Sequence, residues 1–175
     1  MSALRRLARD TQGFGIIELL IALGVLNIAL FAIIGAFNSG MLALRRASQA
    51  ATASTLADKQ MELYRALTYS NIVLVAPTSP DSAYTGDPQY AGQVPAVGAC
   101  PAGDPAAACS PIQTVSGPDH RQYRIDTYLH QSAQSSGAYA ARAVKVVSVV
   151  IRDAGLPSLP TLLRTSSTFD QSTGL

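Results

Sequence analysis

The sequence predicts an α+β protein. A long N-terminal helix, transmembrane in its first half, packs through its second half on a C-terminal antiparallel β-sheet of three or four strands. Three observations predict this. An apolar run at residues 14–37 carries one charge, Glu18, and one strongly polar residue, Asn27. Proline-free sequence rich in helix formers follows it, over residues 38–67. Near the C-terminus, residues 143–151 are almost continuous valine, the pattern of a strand covered on both faces. The chain of 175 residues is long enough for one globular domain beside a membrane helix.

The apolar run comes first in the argument. Its 24 residues would make a helix of roughly 36 Å, enough to cross a hydrocarbon core of about 30 Å. A carboxylate near the start of such a span is costly to remove from water, so Glu18 is a candidate functional residue. The bland alternative is a signal anchor with Glu18 at the headgroup layer. Residues 1–13 precede the run and hold Arg5, Arg6, Arg9 and Asp10. Taking these away from 13 basic and 11 acidic residues leaves ten of each. The basic balance therefore belongs to the leader, where it fits a cytoplasmic N-terminus by the positive-inside rule. The remainder carries no dense basic patch, so no nucleic-acid contact is predicted. A conventional secretory signal fits poorly: the apolar run is too long and lacks a small-residue cleavage site at its end.

Gly13-Phe14-Gly15-Ile16-Ile17-Glu18, after a short basic leader and opening an apolar helix, resembles the class III signal of type IV prepilins and pseudopilins. The resemblance implies cleavage between Gly13 and Phe14 by a prepilin peptidase on the cytoplasmic side. It also implies N-methylation of Phe14 by the same enzyme and an assembly role for Glu18, the fifth residue of the mature chain. Gly15 departs from the threonine common in that family, and Asp10 with Gln12 stand where many leaders place a basic residue. The implied fold is pilin-like.

Residues 38–70 read as an amphipathic continuation of the helix. Ala53, Leu56, Ala57, Leu63, Tyr64 and Leu67 share one face, and Asp58, Lys59, Glu62 and Arg65 lie largely on the other. A single helix from Phe14 to about Leu67 would be roughly 80 Å long. Ala32, Ala36 and Gly40 form a small-xxx-small ladder within it. Residues 71–120 hold eight of the ten prolines and read as a long structured loop. Cys100 and Cys109 lie in that loop with eight residues between them. A disulfide is the default outside the cytoplasm, and it would contribute roughly 2–3 kcal/mol by the chain-entropy argument. A zinc site is the alternative, with unsuitable spacing and His120 as the nearby histidine.

Residues 121–175 are expected to form the sheet. Tyr123, Ile125, Thr127 and Leu129 alternate with Arg124, Asp126 and Tyr128, which predicts a half-buried strand. Residues 143–151 form the central strand, and 161–169 are polar enough for an edge. The segment VKVVSVVIRD, a turn and TLLRTSSTF resemble the sheet of PilV-type and GspI-type minor pilins.

The sequence contains no phosphate-binding glycine loop, metalloprotease motif or nucleophile elbow. His120 and His130 read as surface or strand histidines. Asp81, Asp87, Asp104 and Asp119 read as solvated turn aspartates rather than calcium ligands. A non-enzyme without cofactor or metal is therefore expected, itself the substrate of a peptidase and methylase. The family resemblance implies a minor pilin in the cytoplasmic membrane, with other pilin subunits and the assembly platform as partners. A pseudopilin of a type II secretion or DNA-uptake machine carries the same motifs. An uncut, membrane-anchored binding module is the alternative from another class.

Overall fold

Helix formers without a proline between residues 16 and 65 give one helix, α1 (Ile16–Arg65), in the computed structural model, which describes residues 15–133 and 143–170. The chain divides into two compact units, residues 1–45 and residues 46–175. In the described part of the first, every large apolar side chain from Ile16 to Leu44 is at least 49% exposed. The leader and Phe14 lie outside the described residues.

In the second unit, α1 buries Thr52, Ala53, Ala57, Gln60, Met61 and Tyr64. These fall three and four residues apart, as one face of a helix requires. Leu56, Leu63 and Leu67 are only half-buried, while Asp58, Lys59, Glu62 and Arg65 are exposed. The helix ends at Arg65, sooner than the sequence suggests. Leu67 N donates to Tyr64 O at 3.2 Å, tightening the last turn, and a 3-10 turn follows at Tyr69–Asn71.

Four strands form an antiparallel sheet in sequence order: β1 (Ile112–Ser116), β2 (Gln122–Ala133), β3 (Ala143–Asp153) and β4 (Thr161–Asp170). The central place of β3 and the edge place of β4 agree with the sequence reading. β1 is a correction, because it lies inside the stretch expected to be loop throughout. Its tight connection to β2 explains its register, Ile112↔Asp126 to Ser116↔Gln122. Gly117 N donates to Arg121 O at 2.8 Å and His120 takes φ 58°. Gly117 has no room for a side chain: a Cβ there would lie 2.6 Å from the Tyr123 ring and 2.5 Å from Asp119 Oδ1. Short helices α2 (Ser82–Thr85) and α3 (Ala106–Cys109) punctuate the loop before β1.

One sheet face meets α1. Ala53, Ala57, Met61 and Tyr64 form a common core with Tyr123, Ile125, Leu129, Val147, Val149 and Ile151. The alanines let the helix backbone approach the sheet closely. The other face is also covered, which corrects the half-buried reading of β2: Tyr123 to Leu129 are all buried. The cover is the loop around α2. Tyr84 stacks on Tyr128 with centroids 4.7 Å apart, its hydroxyl donates to Thr127 O at 3.1 Å, and Tyr128 donates to Tyr84 O at 3.2 Å.

Candidate functional site

Of the functional residues expected near the N-terminus, Glu18 is described, at the start of α1. The first helical bond runs from Leu19 N to Gly15 O at 3.1 Å, which places Glu18 in the first turn. The unpaired N–H groups of a helix start favour a carboxylate there. Glu18 is exposed, and no described residue donates to it. From Leu19 to Leu44 the helix carries no charged residue. It is long and apolar enough to cross a membrane.

Asn27, Asn38 and Ser39 interrupt the apolar surface, and Asn27 and Ser39 turn back on their own helix. Asn27 Nδ2 donates to Leu23 O at 2.8 Å, and Ser39 Oγ donates to Ala36 O at 3.0 Å. Space for a Cβ exists at Gly24, Gly35 and Gly40. The ladder of Ala32, Ala36 and Gly40 is exposed on all three members. Gly13 and Phe14, the expected cleavage and methylation positions, lie outside the described residues.

No protein-family model, curated protein or solved structure matches the chain.

The loop between α1 and β1 holds the expected disulfide, Cys100–Cys109, with the Cα atoms 5.7 Å apart. Hydrogen bonds dock the bridged loop on both sides. Gln60 Nε2 on α1 donates to Ala107 O at 2.9 Å, and Val75 N donates to Cys109 O at 2.9 Å. Among the described residues no three His, Cys, Asp or Glu side chains come together as a metal site.

The sequence reading missed a chain of charges on the outer sheet face, with Asp126 buried at its centre. Asp126, at 0% exposure, accepts from Arg124 Nε at 2.6 Å and from Arg152 Nε at 2.7 Å. Arg152 reaches on to Asp87 at 2.6 Å, and Arg164 binds the same carboxylate at 2.9 and 2.7 Å. Arg124 also pairs with Asp81, which caps α2 by accepting from Tyr84 N at 3.0 Å. Asp87 is therefore buried rather than a solvated turn residue, while Asp81 stays exposed but is ion-paired. They fasten the loop to the sheet. The Arg124 hydrogen bond holds the Asp81 carboxyl at about 2. Burial works to raise Asp87, but the Arg164 bonds outweigh it and hold this carboxyl below the usual range. Alternating Arg124, Asp126 and Arg152 on two paired strands were the sequence signal, since Arg124 and Arg152 are register partners.

The two histidines fit their expected places. His120 is exposed in the β1–β2 turn, and His130 sits on β2 with Nε2 2.9 Å from Gln89 O.

Proposed function

We propose that this protein is a minor pilin, a structural or priming subunit of a type IV pilus held in the cytoplasmic membrane before assembly. One observation carries the reading. The prepilin-like junction Gly13-Phe14 stands shortly before an uncovered helical surface that carries Glu18 in its first turn and no further charge up to Leu44. An apolar surface of that size is unfavourable in water, and lipid or neighbouring apolar helices relieve the cost. Cleavage after Gly13 would create an α-amine at Phe14, four residues before Glu18 and so on the same helical side. In a low-dielectric layer each charge is costly alone, and pairing them offsets part of that cost. Between staggered subunits, Glu18 of an incoming chain would meet the Phe14 amine of its neighbour and set the axial register. The sheet domain outside the membrane would decorate the filament, with its loop stapled by the disulfide. The polypeptide then acts by assembly rather than catalysis. Its partners would be the prepilin peptidase, other pilin subunits and the assembly platform.

The test is incorporation into sheared filaments in a piliated host, scored by immunoblot. The wild-type chain should co-purify with filaments, and Gly13→Val should remain as uncut precursor in the membrane. A wild-type chain that is never found in sheared filaments and never alters their number would overturn the proposal.

A further inference from the structure

Asn27 has a use that neither Glu18 nor the sheet domain supplies. Nine residues separate it from Glu18, which places the two on opposite sides of α1. Its Nδ2 donates one hydrogen bond to Leu23 O, so a second N–H and the Oδ1 acceptor remain unbonded among the described residues. Hydrocarbon offers such groups no partner. From Leu19 to Phe37 every position except Asn27 is apolar or glycine, so Asn27 alone selects a face. Leu20, Leu23, Leu30, Ile34 and Phe37 flank Asn27 at the a and d positions of successive heptads, with Asn27 itself at an a position. A lone asparagine in an otherwise apolar a/d seam is the arrangement that fixes register and copy number in paired helices.

We infer that α1 pairs in parallel with a second copy of this chain inside the membrane, through the Leu20–Asn27–Ile34 face. The inference rests on the reading of α1 as membrane-spanning. Two copies inserted in the same direction bring their Asn27 side chains to the same depth. Each carboxamide there is both donor and acceptor, so the pair is self-complementary. A partner helix lacking a polar group at that depth would leave Asn27 unsatisfied. Val25 lies on the opposite side of the seam, at an f position, and takes no part.

Both native cysteines are joined in the disulfide, so one introduced cysteine supplies the only free thiol. The full chain is expressed alone, and its membranes are oxidised with copper phenanthroline. Ile34→Cys should give a covalent homodimer, whereas Val25→Cys should not. Adding Asn27→Leu to Ile34→Cys should lower the cross-linked fraction about five- to tenfold, while Asn27→Gln should largely preserve it. Equal cross-linking at positions 25 and 34, or no response to Asn27→Leu, would overturn the inference. So would an Asn27-dependent product with a different protein. Alkaline carbonate extraction separates this from the membrane reading. Release of the chain from the pellet overturns both, whereas retention with Asn27-independent cross-linking overturns only the paired helix.

Discussion

Asp126 sits in mid-β2 with both carboxylate oxygens bound to guanidinium groups and no surface exposed. Burial pushes the carboxyl above the usual carboxylate range, and the two arginines within 2.7 Å work against that rise. Removing it strands two buried positive charges. Asp126→Ala should therefore cost about 3–5 kcal/mol in denaturant unfolding of the full chain in detergent. Arg164 ends the same chain of charges with its side chain 35% exposed, and Arg164→Ala should cost only about 1 kcal/mol. Equal losses would show that burial does not set the strength of this network. The acid dependence follows from Asp81 and Asp87. Their folded values lie below those of the unfolded chain, so their ion pairs contribute fully above pH about 4. That stability is lost as the pH falls toward the folded values. The melting temperature should decline below pH about 4, and less steeply in Asp81→Asn, as read by circular dichroism at each pH. Gly117→Ala tests the β1–β2 connection. Its new methyl would meet the Tyr123 ring and Asp119, and overpacking of this kind typically costs about 1–3 kcal/mol.

At the scale of elements, α1 and β3 were legible because their patterns are long and uniform. β4 was legible by its polarity. β1 was not: five residues of pattern IQTVS, close behind Pro111 in a proline-rich stretch, carry too little periodicity to stand out. The two-sided burial of β2 was hidden for another reason. Its outer face alternates charged and polar residues, which ordinarily means water, and the compensating groups come from residues 81–93, distant in sequence. The end of α1 at Arg65 rather than near 67–70 is set by local hydrogen bonding that apolar spacing does not report. The disulfide was legible from cysteine number and context, although its docking to Gln60 was not. Replacing Cys100 and Cys109 together by alanine should lower stability by roughly 2–3 kcal/mol in urea unfolding, with loosening concentrated in residues 97–110 by hydrogen exchange. Unchanged protection there would mean that Gln60 and Val75 hold the loop without the bridge.

At the scale of the molecule, one helix joins an uncovered apolar segment to a segment buried under a sheet, and the proposed function uses each differently. The uncovered segment would insert in the membrane and the filament, while the sheet domain would remain outside lipid. In the proposed function Glu18 would be the residue that separates insertion from assembly. Glu18→Ala should still be cut at Gly13 and remain in the membrane fraction, yet fail to enter sheared filaments. Assembly at the wild-type level would show that the interface merely tolerates Glu18. The charge balance belongs to the same scale, since removal of residues 1–13 leaves side chains with ten basic and ten acidic groups. Processing at Gly13 is the claim on which the pilin reading depends. Its most direct test is mass spectrometry of the N-terminus after co-expression with a prepilin peptidase. The account predicts a mature chain that begins at N-methylated Phe14, with Gly13→Val left uncut. An N-terminus that remains at Met1, or one that falls beyond residue 30, would contradict it.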